Sequence, residues 1–240
     1  MENVTNRTET SLAIWNRVIE TYAPLHVRYP PGELIYKAGS YAAGTYLVSD
    51  GFVSEYNMPQ KGRPEKSLLE ILGPGDLIGL EVFLGGRTEL HLSCARAITE
   101  TELFFFERAA FMKLIEEEET IKSYCLSCLS HRFYSLKQGA FSPSNTPLEE
   151  RVGRLLLGLA EKSGEHGEEG TVFLSPEVTR ATLSQLLGVS TARVDRAIAA
   201  LPRISWVGEQ MALSPESLRC WLASATDVGK SSLKRLFHDG

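Results

Sequence analysis

Four guanidinium groups stand close together in VTRATLSQLLGVSTARVDRAIAALPR (residues 178–203): Arg180, Arg193, Arg196 and Arg203, opposed there only by Asp195. A guanidinium is a planar fork of donors that stays charged throughout the physiological range. It suits carboxylates, phosphate oxygens and the paired acceptors of a guanine edge. Hydroxyls at Ser190 and Thr191 lie among them. A further set could do chemistry: Cys125 and Cys128 form a C-x-x-C pair.

The spacing of apolar residues says what must hold the arginines. Leu183, Leu187, Val189, Val194 and Ala197 fall where two short helices crossing at a sharp angle share a small core, and Ser184 is small where the second helix passes closest. Gly188 sits at the turn, where a left-handed backbone suits glycine. Ser190 follows as N-cap of the second helix, and Pro202 supplies the stop. The pattern predicts a helix-turn-helix whose second helix enters a major groove. Thr191, Arg193 and Arg196 then face base edges, while Arg180 and Ser190 reach phosphates, contacts that position without specifying. The plainer alternative is a pair of core helices whose arginines are solvated or pair with Asp195. The following ISWVGEQMALS (204–214) predicts a hairpin, the wing of a winged helix.

The preceding chain changes texture twice. Leu12, Trp15, Val18, Ile19 and Tyr22 predict a short amphipathic helix over residues 11–23. From about residue 25 to 108, short apolar runs alternate with glycine and proline, as in an all-β barrel or sandwich, and VSDG (48–51) reads as a tight hairpin. Glycine then disappears, and one long helix is expected to about Gly139, with Leu114, Ile121, Tyr124, Cys125, Cys128, Leu129, Phe133 and Leu136 on its apolar face. FSPSNTP (141–147) reads as a hinge. Leu148, Val152, Leu155, Leu156 and Leu159 open a second helical region that ends at the polar KSGEHGEEG.

Bulk properties exclude several classes. The 240 residues carry a formal net charge of −5, which is poor for wrapping nucleic acid, so any DNA contact must come from a local basic patch. No run of 18 apolar residues exists to span a membrane, and MENVTNRTETSLAIW lacks the features of a secretory leader. A cytoplasmic protein is expected. Cys94, Cys125, Cys128 and Cys220 are too scattered for a disulfide scaffold.

The order barrel, long helix, hinge, winged helix-turn-helix resembles the cyclic-AMP receptor/FNR family of transcription regulators over roughly residues 22–222. The resemblance is carried by Gly39, Gly51, Gly73, Gly75 and Gly79, by Arg96-Ala97 and by TRATLSQLLGVS. It implies an α+β protein with a cyclic-nucleotide-binding-like β-barrel (double-stranded β-helix or jelly roll). Expected divisions are residues 1–108 for N-terminal helix and barrel, 109–140 for the dimerisation helix, 141–147 for the hinge, 148–225 for the DNA-binding domain and 226–240 for a tail. The implied partners are operator DNA, a second copy of the chain, a small-molecule effector of unknown identity and, for an activator, RNA polymerase.

Departures from the family pattern fall on the effector. Family members that bind cyclic nucleotide carry Gly-Glu-Leu and an Arg-Ser pair. Here the first reads Gly79-Leu80-Glu81, and the second falls on His91-Leu92, with Arg87-Thr88 nearby in a different register. The polar pair of the long helix reads Leu136-Lys137. A buried phosphate without its arginine is costly, so cyclic-nucleotide control is not expected. No cysteine precedes Cys94, which removes the N-terminal iron–sulfur cluster of oxygen-sensing members, and His26 and His91 are unsupported as haem ligands by any attachment motif. No cofactor or metal is expected. Where many members begin the recognition helix Arg-Glu, this chain has Thr191-Ala192; only Arg196 carries over, so a different operator is expected.

Cys125 and Cys128 lie at i,i+3 on one helix face, where two chains would gather four thiols for redox or metal sensing; packing as small apolar residues is the simpler role. Two rival functions remain. A regulator acting through protein partners leaves the arginines unexplained, and a cupin-type enzyme lacks its H-x-H, so no enzyme is expected.

Overall fold

The computed structural model describes residues 14–58, 67–80, 83, 89–137, 146–163 and 165–236. The chain divides into two compact units, residues 1–142 and 143–240.

In the first unit, helix α1 (residues 14–22) precedes eight strands: β1 (Leu25–Tyr29), β2 (Leu34–Tyr36), β3 (Gly44–Asp50), β4 (Val53–Asn57), β5 (Ser67–Leu72), β6 (Leu77–Ile78), β7 (Cys94–Ala97) and β8 (Thr101–Glu107). They form two antiparallel sheets, ordered β1-β8-β3-β6 and β2-β7-β4-β5. Side chains from both sheets, Val48, Ile78 and Leu103 from one and Tyr36, Val53, Leu72 and Ala95 from the other, share one core. This is a jelly-roll sandwich. Among the described residues no ladder joins the two sheets.

Residues 48–51 are not the hairpin their Asp-Gly suggested. β3 pairs with β6 and β8, whereas β4 pairs with β5 and β7, so the turn carries the chain from one sheet to the other. Gly51 is needed twice over. Its φ is +78°, and a Cβ there would stand 2.1 Å from the carbonyl oxygen of Glu100.

The expected single helix after residue 108 is broken. α2 (Arg108–Glu117) ends at Glu118, whose φ of −114° and ψ of 95° are extended, and α3 (Glu119–Lys137) starts afresh. The apolar positions explain the break. Phe111, Leu114 and Ile115 face the core from α2, while Ile121 and Cys125 do so from α3. A continuous helix would carry that stripe through Glu118 and Lys122. α1 staples the joint: Trp15 is fully buried beside Phe106 and Tyr124, Arg17 pairs with Glu118 at 2.6 Å, and Tyr22 donates to Glu117 at 2.9 Å.

α3 meets the sandwich along Tyr124, Cys128 and Arg132, one turn apart on a single face. The Tyr124 hydroxyl donates to the carbonyl of Gly75, and Arg132 donates to that of Leu77. Arg132 also pairs with Glu70 on β5 at 3.2 Å and lies 4.0 Å from Glu55 on β4. The Glu55 side chain is 7 % exposed and accepts from Tyr36 and Ser93. One long-helix cation thus serves two carboxylates inside the sandwich.

The second unit holds α4 (Leu148–Ser163), β9 (Glu165–His166), β10 (Val172–Phe173), α5 (Arg180–Leu187), α6 (Thr191–Ala199), β11 (Ile204–Val207), β12 (Gln210–Leu213) and α7 (Pro215–Leu236). Val152, Leu155, Leu156 and Leu159 of α4 are buried as their spacing required. The strands form one sheet, β11-β12-β10-β9, so the polar segment after α4 contributes a strand as well as exposed turns. α7 continues to Leu236, through most of the stretch expected as a tail.

Replacing Arg132 leaves Glu55 and Glu70 without their guanidinium, and stranding a buried charge costs on the order of 3–5 kcal/mol. Arg132→Met is expected to lower the stability of the first unit by that order in urea unfolding, and Arg132→Met with Glu70→Gln to recover part of the loss. A double variant no better than the single one refutes the account.

Candidate nucleic-acid interface and sensory chamber

α5 and α6 form the helix-turn-helix around the turn at Gly188. Thr179 caps α5, its hydroxyl accepting from the Thr182 amide at 3.2 Å. Gly188 ends the helix at φ +68° and ψ +30°, the left-handed conformation expected of it, and its amide bonds back to Ser184. The Ser184 hydroxyl donates across the turn to the carbonyl of Val189. Arg151 on α4, 4 % exposed, donates to the last carbonyl of α5, that of Leu187, at 2.9 Å. A cation at this end complements the helix dipole. Arg151 was missed in the sequence because it stands inside an apolar stripe as an isolated charge, the one signal that could have marked it.

α6 is anchored by Val194, Ala197 and Ile198, and every other residue from Thr191 to Ala199 is exposed. Ser190 occupies the N-cap position as expected, yet its hydroxyl makes no capping bond. The helix sides differ. At about 100° per residue, Arg196 stands near the crest opposite the buried side, with Arg193 on one flank and Asp195 on the other. Among the described residues the Arg196 guanidinium bonds to the carbonyl of Ala192, one turn back, at 3.4 Å. Asp195 pairs with neither of these arginines. It accepts from Arg180 at 2.7 Å, and the Arg180 guanidinium carbon lies 4.2 Å from the ring centre of Trp206 on β11. The sequence reading gave Arg180 a role at phosphate and did not include Trp206.

The expected wing is present. β11 and β12 pair from Ile204–Leu213 to Val207–Gln210, and Gly208 turns between them at φ +63°. Val207 is exposed near the tip. Arg203, between α6 and the wing, has φ +48°.

In the sandwich, Glu81, Arg87 and Thr88 lie outside the described residues. His91 is 4 % exposed and stacks on Tyr36, with ring centres 3.7 Å apart and planes 7° apart. Its Nδ1 is buried without a hydrogen-bond partner among the described residues, and burial pushes its pKa down to about 4. Tyr36 continues to Glu55, joining the stack to the carboxylates held by Arg132. At neutral pH the described chamber therefore offers a neutral imidazole and two carboxylates against one arginine. Arg132, Glu55 and Glu70 were not singled out in the sequence, where they look like ordinary surface charges.

His26, the other histidine considered, is partly exposed, 3.0 Å from Glu102 and stacked on Phe104. Cys125 is buried in the core beside Trp15 and Phe111, and Cys128 packs against the same cluster. The pair faces its own sandwich. Burial pushes Cys125 up to about 12, and burial followed by the Asp76 charge takes Cys128 to about 11. Little thiolate, the reactive form, exists at neutral pH.

Comparison with known proteins agrees with this anatomy. Residues 26–118 match the cyclic nucleotide-binding domain. The CRP-like cAMP-activated global transcriptional regulator of Mycobacterium tuberculosis (strain ATCC 25618 / H37Rv) is 28% identical over 183 residues, 75% of this chain and 79% of that protein. Among solved structures, FixK2 from Bradyrhizobium japonicum superposes with a TM-score of 0.64 at 20% identity, covering 82% of this chain and 96% of its own. The c-di-GMP responsive regulator CLP of Xanthomonas campestris gives 0.61 at 20% identity, covering 82% and 97%. A jelly roll followed by a winged helix-turn-helix is also the arrangement of these transcription regulators, and DNA-binding transcription regulation is the activity the likeness supports. Over most of its length the chain is thus similar to CRP-like transcription regulators, and residues 26–118 match their cyclic nucleotide-binding domain. No described helix is long and apolar enough to cross a membrane.

His91 gives the first unit a pH signature. Its unfolded pKa near 6.5 exceeds its folded value near 4, so the stability it permits is complete above about 6.5. That stability falls as acid protonates the unfolded chain first. The loss is about 1.4 kcal/mol per pH unit while one proton separates the states. His91→Phe is expected to flatten the stability profile between pH 4 and 6.5 in urea titrations. An unchanged slope refutes the assignment.

Proposed function

We propose that the protein is a homodimeric, sequence-specific DNA-binding regulator in which α6 reads the major groove and the cyclic nucleotide is not the controlling ligand. The observation carrying the DNA reading is the exposed side of α6. Arg193 and Arg196 carry no ion pair among the described contacts, although the helix has a carboxylate of its own. Arg196, on the crest, is the base reader, with Arg193 about 60° around the helix from it and Thr191 at the N-terminal turn. The uncommitted hydroxyl of Ser190 serves phosphate at the helix N-terminus, where amides also point outward.

The dimer reading rests on α3. Its inner face is spent on the sandwich, whereas Leu126 is 55 % exposed and Phe133, two turns on, is 62 % exposed. An exposed apolar pair at i,i+7 is the beginning of a seam between two copies. A paired chain presents two α6 helices to half-sites about one DNA turn apart. The M. tuberculosis relative is named as cAMP-activated. Here Arg132 and its two carboxylates, with neutral His91 nearby, make the chamber unfavourable for a phosphate anion. The redox role considered for Cys125 and Cys128 gains no support from thiols held this far above neutral pH. The partners proposed are operator DNA, a second copy and, for an activator, RNA polymerase.

Arg196→Ala is expected to cost about 1–3 kcal/mol of operator affinity while changing random-duplex binding far less, measured by competition titration. Equal losses on both would make Arg196 a phosphate contact. Leu126→Glu with Phe133→Glu is expected to shift the protein to monomer in sedimentation and to weaken operator binding with it. A dimer that survives both changes disproves the seam.

A further inference from the structure

Asp195 is the sole carboxylate between Thr191 and Ala199. On a surface that approaches phosphates, such a charge opposes binding. Neither arginine of its own helix takes it up. Arg193 lies about 160° away around the helix, and Arg196, the next residue, points about 100° away. The cation comes instead from the start of α5: Arg180 Nε donates to Asp195 Oδ1 at 2.7 Å. The same guanidinium covers Trp206, 4.2 Å from its ring centre. Trp206 lies opposite buried Met211 in the wing pairing, on the side of β11 that faces the helices. Three elements thus meet at one planar cation: the first turn of α5, the middle of α6 and the inner face of the wing.

We propose that Arg180 is a positioning residue for DNA recognition, compensating the charge of Asp195 and tying α6 to the wing through Trp206 rather than contacting phosphate itself. This rests on the reading that α6 enters DNA. Both members of the pair are about half exposed, with side-chain accessibilities of 48% and 50%, so the bond adds little to folding. Its effect appears when a polyanion arrives. With Arg180 in place, the basic character of Arg193 and Arg196 is undiminished. Without it, Asp195 stands bare on the flank of the reading helix, and the wing loses its tether.

The experiment is a double-variant cycle on the full-length protein, with a random-sequence duplex titrated over a range of salt. Arg180→Ala is expected to weaken binding roughly tenfold at low salt, since an uncompensated like charge at an interface is strongly unfavourable. Asp195→Asn alone is expected not to weaken it. Combining the two is expected to restore most of the loss. In the Asp195→Asn background, Arg180→Ala should leave the slope of log K against log salt unchanged. A phosphate ligand behaves otherwise: Asp195→Asn gives no rescue, and each Arg180→Ala comparison makes the slope shallower by about 0.9. That result overturns the proposal. Wild-type protein that ignores duplex altogether refutes the DNA reading on which it stands, a failure told apart from the first because wild type then shows no binding to be lost.

Discussion

The nine residues of α6 carry two incompatible demands, and the second unit is arranged around reconciling them. A helix this short is unstable alone in water, so it must be anchored, yet a helix that reads DNA must keep most of its surface free. Val194, Ala197 and Ile198 meet the first demand within one narrow stripe. The stripe works only if α5 arrives at a steep angle and stops without intruding. Gly188 in its left-handed conformation, the Ser184 bond across the turn and the buried Arg151 at the end of α5 all serve that stop.

The first unit solves a different electrostatic problem. A jelly roll whose interior held an anionic ligand would need a fixed cation in the wall. This one has carboxylates in the wall, Glu55 and Glu70, and receives its cation from a neighbouring helix. Glu55 and Glu70 thus share Arg132, and the neighbouring histidine is kept neutral by burial. Fold and ligand chemistry are thus separate questions: residues 26–118 match the cyclic nucleotide-binding domain, while the charges of the described interior are those of Glu55, Glu70 and Arg132 around a neutral His91.

Much of this was legible in the residues because local rules governed it. The helix-turn-helix followed from apolar spacing over two dozen residues and one glycine, features that tertiary context seldom overrides. The wing and α4 were legible for the same reason. The failures share another cause. VSDG has the chemistry of a hairpin, but which strands pair is decided by partners fifty residues away, so a local turn signal became a crossover between sheets. The long helix looked continuous because glutamates 116–119 favour helix; its break at Glu118 follows from where the sandwich core lies, which no window of sequence contains. Phe133 was placed on the packed face by helical count and is exposed, because the packed stripe ends in Arg132 instead. Charged residues were hardest to place. Arg132, Arg151 and Arg180 each bind a specific partner 15 or more residues distant, and side-chain type alone does not say which charges will be enclosed.

Arg132 has one more consequence, for how α3 can move. The guanidinium is bonded to β5 and β6 and projects from one side of the helix; Leu126 and Phe133 project from others. Spinning the helix about its own long axis would drag the cation off both carboxylates, so rotation is geared to the sandwich. Translation or tilt, with β5 and β6 carried along as one body, is not penalised in that way. Any rearrangement transmitted from the sandwich along α3 is therefore restricted to swinging motions, and the outward residues keep their bearing while their position shifts.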